Sequence, residues 1–91
     1  MNESGHEDDL TYEQVRAVKN AHETDLLKKA NVVGVGVGLK QHGGEFASEV
    51  VLVVMVERKV PNALLDPQDV IPDEIDGVPV DVQEVGKLNA Q

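Results

Sequence analysis

The ten residues Asn31-Val32-Val33-Gly34-Val35-Gly36-Val37-Gly38-Leu39-Lys40 restrict the chain more than any other stretch. Val33, Val35, Val37 and Leu39 alternate with Gly34, Gly36, Gly38 and Lys40, so an extended backbone carries every large side chain on one face. Glycine weakens a strand, but the β-branched alternation predicts one over 32–40. Gln41-His42-Gly43-Gly44-Glu45 reads as a turn, with Gly43 and Gly44 supplying positive φ. A second strand is expected over 48–59, around the apolar run 50–56, and the two form an antiparallel hairpin.

Ahead of this hairpin the period is 3.6. Thr11 and Gln14 fit a capping box, with Leu10 and Val15 placed as a hydrophobic staple. Val15, Val18, His22 and Leu26 recur on one face. Lys28 and Lys29 suit the negative end of the helix dipole, and Asn31 suits a left-handed stop. The helix is predicted over 11–30. Beyond Pro61, residues 62–65 and 66–69 look like short helical turns, the second with Pro67 after a capping Asp66. Val78, Val80 and Val82 alternate with Pro79, Asp81 and Gln83, a third strand that Pro79 assigns, at least at its start, to an edge.

The expected class is therefore α+β: an N-terminal helix packed on a small, mostly antiparallel three-stranded sheet, in the order α-β-β-(short helical turns)-β. Residues 10–86 form the single domain, 1–9 a disordered acidic tail and 87–91 a C-terminal tail. A register placing Lys40 opposite Ser48 puts Gly34, Gly36 and Gly38 across from Val54, Leu52 and Val50. The helix is expected on that glycine face, where missing side chains permit close approach. Val33, Val35, Val37, Val51, Val53 and Met55 would then share the opposite face. An apolar patch of that size points to an interface between copies, in preference to cover by residues 61–76.

Composition narrows the function. Seventeen acidic residues against eight basic ones give a net charge of −9, which repels nucleic acid and anionic membrane surfaces. Only Tyr12 and Phe46 are aromatic, too few for stacking on single strands. With no cysteine there is no disulfide, thiol nucleophile or Cys-type zinc site. The start of the chain lacks the pattern of a signal peptide, and run 50–56 is too short to span a bilayer, so a cytoplasmic protein is expected.

Candidate chemistry is sparse. Gly34-Val35-Gly36-Val37-Gly38 lacks both the spacing and the following helix of a phosphate-binding loop, because a hairpin follows. His22 lies on the apolar helix stripe three residues before Asp25, where a core-edge histidine is the simpler reading than a base or ligand. His6 and His42 stand apart from it, without metal-ligand spacing. Ser48 has no histidine placed for nucleophilic chemistry by sequence. Asp66, Asp69, Asp73, Glu74 and Asp76 are acidic enough for calcium but lack the hand-type loop pattern. No catalytic residue, cofactor or metal site is assigned.

One resemblance adds to this reading. It is carried by residues 31–40, then Val54-Met55-Val56-Glu57-Arg58-Lys59-Val60-Pro61, Leu65, Ile71-Pro72, and Ile75-Asp76-Gly77-Val78-Pro79-Val80-Asp81-Val82-Gln83-Glu84-Val85-Gly86. Together they resemble the short segment that precedes the catalytic domain in certain bacterial and plant trypsin-like serine-peptidase-related proteins. The catalytic triad of that family lies downstream of this segment, so the resemblance implies an accessory domain with no catalytic residue of its own. The leading expectation is a non-catalytic, self-assembling or protein-interaction module. The alternatives are a docking, chaperone-like or inhibitory domain for a peptidase, and a small-ligand or metal binder using His22, His42 and the glycine face.

Overall fold

A computed structural model describes residues 10–86; the tails expected at 1–9 and 87–91, with Ser4 and His6, lie outside the described residues. Helix α1 spans Tyr12–Leu27 and is followed by strands β1 (Val32–His42) and β2 (Glu45–Val56). Two 3-10 turns, Asn62–Leu64 and Pro67–Asp69, lead to β3 (Glu74–Ile75) and β4 (Val78–Glu84). The α+β class holds, but the sheet has four strands in the order β1-β2-β4-β3 and is mixed. β2 and β4 run parallel, whereas β1–β2 and β3–β4 are antiparallel. The expected three-stranded, mostly antiparallel sheet is thus corrected. Residues 57–77 separate β2 from β4, a link long enough for the crossover that a parallel pair requires.

Local chemistry explains where α1 starts and stops. The Thr11 hydroxyl accepts from the Gln14 backbone N–H at 3.1 Å, and Gln14 Oε1 accepts from the Thr11 N–H at 2.8 Å. The helix ends three residues earlier than expected, with Lys28 as its C-cap. Asn31 does adopt the left-handed conformation, at φ +76°. Its side chain donates from Nδ2 to the Arg58 carbonyl and accepts from the Arg58 N–H, while its carbonyl accepts from the Glu57 N–H. The start of β1 is thereby tied to the exit of β2.

The hairpin corrects the assumed register. His42 pairs with Glu45, leaving Gly43 and Gly44 as a two-residue turn at φ +60° and +86°. An irregularity then sets Leu39 opposite Val50, Val37 opposite Leu52 and Val35 opposite Val54. Compared with the expected register this is a slip of one residue, and such a slip exchanges faces. Val35, Val37, Val50, Leu52 and Val54 therefore share one face, and Gly34, Gly36 and Gly38 share the other with Met55, Val53 and Val51.

Helix α1 rests on the valine face of β1 and β2, not on the glycine face. Val15, Leu26, Val35, Leu52, Val54, Val56 and Val78 form the buried core. Burial of each such side chain stabilises the fold by roughly 1.5–3 kcal/mol before chain entropy is counted. Ile71 and Ile75 join the same core beside Val80 and Val82. Among the described residues, no helix is long and apolar enough to cross a membrane.

Candidate functional site

The six residues expected to share one apolar face are divided by the sheet. Val35 and Val37 belong to the helix side, and Val33 occupies an irregularity between the pairs Val32–Val56 and Gly34–Met55. Val51, Val53 and Met55 lie on the glycine side, where Val51 is fully buried and Val53 is 7% exposed. The Gln41 backbone N–H donates to Asp81 Oδ2 at 2.9 Å, linking β1 to β4 two strands away. Asp81 is aligned with Val53, so this bond crosses β2 on the glycine side.

The three strand glycines differ in what surrounds them. A Cβ at Gly34 would come within 2.9 Å of Met55 Cε, and one at Gly38 within 3.2 Å of Val53 Cγ2. Side chains of β2 thus lie over β1 at these two positions and use the missing volume. At Gly36 the nearest atom would be Met55 Cε at 3.9 Å, an ordinary contact. Packing within the chain does not require a glycine there.

The outer edge of β1 is open: among the described residues no strand pairs with it on the side away from β2. From Val32 to Leu39 it contains neither a charged residue nor a proline. Natural sheets commonly block such an edge with Lys, Pro, a short strand or a bulge. The devices found on β1, the irregularity at Val33 and the charge of Lys40, stand at its ends.

The orientation of α1 completes this margin. His22, Asp25 and Lys29 lie on the flank facing residues 68–76, where His22 Nε2 meets Asp76 Oδ2 at 2.8 Å and Lys29 Nζ donates to the Gln68 carbonyl at 2.6 Å. The opposite flank, on the β1 side, carries Tyr12, Arg16, Lys19, Glu23 and Leu27 at steps of four, three, four and four residues. Tyr12 and Leu27 are 50% and 44% exposed, large apolar groups at the two ends of that stripe. Periodicity treats both as surface residues, and only the strand order reveals which margin they overhang.

The other candidates are less developed chemically. His22 pairs with Asp76, not with the nearby Asp25, in a cleft of about 430 Å³. A second cleft, of about 280 Å³, lies where β2 and β4 end, with Arg58, Lys59, Asp69 and Asp73 around Val56, Leu65 and Ile71. Asp69 Oδ1 is already engaged by the Ala30 N–H at 3.0 Å. His42 ends β1, and Ser48 lies in the exposed first half of β2. Among the described residues, no three His, Cys, Asp or Glu side chains converge as a metal site would require. No protein-family model and no curated protein matches the sequence.

Proposed function

We propose that this chain is a non-catalytic protein-interaction module that works by strand addition at the outer edge of β1. The observation that carries the reading is the unblocked edge over Val32 to Leu39. An extended partner strand would take its affinity from main-chain hydrogen bonds, and its specificity from side chains at alternate positions. This keeps the interaction role expected from sequence but moves it from a valine face to a strand edge, because the sheet divides the six residues of that face and α1 covers Val35 and Val37.

Gly36→Lys tests the reading. The position has room for a side chain, so the variant should fold with an unchanged circular dichroism spectrum and a melting temperature within a few degrees of the parent. A charge in the middle of the edge should nevertheless prevent strand addition. Sedimentation velocity from micromolar to millimolar concentration reads self-association, and recovery of partners from native cell extract reads association with other proteins. A folded Gly36→Lys chain that retains every association of the parent would reject the edge as the working surface.

A further inference from the structure

Resting on the strand-addition reading, we infer that the partner at the β1 edge is a second copy of this chain, paired antiparallel about a twofold axis through Gly36. The strand is close to a palindrome about that residue. Antiparallel pairing centred there sets Gly36 against Gly36 of the second copy, Gly34 against Gly38, Val35 against Val37 and Val33 against Leu39. Over residues 33–39 small residues meet small ones and large residues meet large ones, as an isologous interface requires. It also accounts for the one strand glycine that internal packing leaves unexplained, since a glycine within a strand often marks close approach by another backbone.

The helix flank has the same symmetry, in an independent set of residues. Opposed antiparallel, two copies of the stripe bring Tyr12 to Leu27 at both ends, and Arg16 to Glu23 between them. Apolar meets apolar and positive meets negative. Lys19 does not disturb this pattern, because Glu23 of its own chain already holds it at 3.3 Å. The centre of the helix pattern lies between Lys19 and Asn20, about 11 Å along the helix from Leu27. Gly36 lies about 13 Å along the strand from Val32. A short turn joins Leu27 to Val32, so one axis serves both patterns.

Spacing allows both contacts to form together. Because α1 rests on β1 and β2, its axis lies inward of the edge. With strands about 4.8 Å apart and each helix above its β1–β2 gap, the two helices would stand about 10 Å apart. That matches the usual distance of roughly 8–10 Å for packed helices. The product is a continuous eight-stranded sheet with two helices side by side on one face, closed by its twofold axis.

Gly36→Cys tests the register directly, because the parent chain has no cysteine. Opposed residues in an antiparallel pair have Cα atoms about 4.5–5.5 Å apart, within the range a disulfide spans. Under mild oxidation the variant should become a covalent dimer, running at twice the 9.8 kDa chain mass on a non-reducing gel. Leu64→Cys, at an exposed position away from this edge, should remain monomeric under the same conditions. In sedimentation, Arg16→Glu should weaken the parent dimer on the order of tenfold by opposing like charges twice, and adding Glu23→Arg should restore most of that loss.

Gly36→Cys cross-linking no faster than Leu64→Cys, with the parent dimeric, would overturn the twofold register while leaving self-association intact. A parent chain monomeric at millimolar concentration would overturn the second copy as partner. In that case a protein recovered with the parent and lost with Gly36→Lys would preserve the strand-addition reading, and the lack of any such protein would end both.

Discussion

At the β3–β4 margin of the sheet, further pairing is obstructed several times over. β3 is two residues long, Pro79 brings no N–H, the Val80 N–H is occupied by the Asp73 carbonyl at 2.9 Å, and Asp81 and Glu84 charge the remainder. At the β1 margin, eleven residues of strand carry no proline, and the first charge is Lys40. Proline, charge and short strands are the means by which sheets avoid unwanted edge pairing. One chain thus contains both a protected and an unprotected margin. The contrast teaches that the open edge is not the result of a sequence lacking such residues, since they are abundant a few strands away.

The two margins belong to one folding unit only if they share a cooperative centre. β2 provides it, with Leu52 fully buried and paired to Val37 on one side and Val80 on the other. Leu52→Ala should lower stability by about 2–5 kcal/mol in urea denaturation. Hydrogen exchange at residues 33–39 and 80–84 should then accelerate together; acceleration at one margin alone would mean that they unfold separately. A proline scan from Val35 to Gly38 comes next in size. Strand N–H groups point alternately to the two sides, so stability losses of about 1–3 kcal/mol should recur at every second position, where the bond to β2 is lost. The intervening positions should lose association with much less stability. Uniform losses would mean that the outer edge is occupied within the chain.

The hairpin, the start of α1 and the turn at Asn31 were legible because each rests on local chemistry: alternation, a capping box, and a left-handed Asn. The choice of sheet face was not. It depends on whether the pairing register is odd or even, and a two-residue turn differs from the expected five-residue turn by that parity. The parallel β2–β4 pair was hidden for another reason: contacts between distant segments leave no periodic signature, and β3 is too short to show one. The pairing of His22 with Asp76, 54 positions away, is of the same kind. At the proposed site, the residues of β1 were visible but their use was not. Gly36 looks like Gly34 and Gly38 until Met55 and Val53 are seen to fill the space at those two alone.

The difference between Gly36 and Gly34 has a smaller measurable consequence. Gly36→Val should raise the stability of the isolated chain by about 0.5–1 kcal/mol, because a β-branched residue replaces glycine where its Cβ makes only an ordinary contact with Met55. The same substitution should abolish association by filling the centre of the contact. Gly34→Val should show no comparable gain, since its Cβ requires the end of Met55 to move. A Gly36→Val chain that is both more stable and fully associated would show that the glycine is not kept for a partner.

The smallest effect separates the two flanks of α1. His22 and Glu23 are neighbours in sequence, each in a partly exposed polar contact, with Asp76 and Lys19 respectively. Exposed pairs of this type contribute only a few tenths of a kcal/mol, so His22→Ala and Glu23→Ala should be nearly indistinguishable in thermal melts. Their positions relative to the sheet differ, however. His22 faces the protected side through Asp76, whereas Glu23 lies on the stripe above the β1 edge. His22→Ala should leave the dimer unchanged, and Glu23→Ala should weaken it several-fold in sedimentation equilibrium. Because stability is matched, any difference in association reports which flank meets the partner. Equal association in the two variants would remove the helix stripe from the contact and leave the strand edge to act alone.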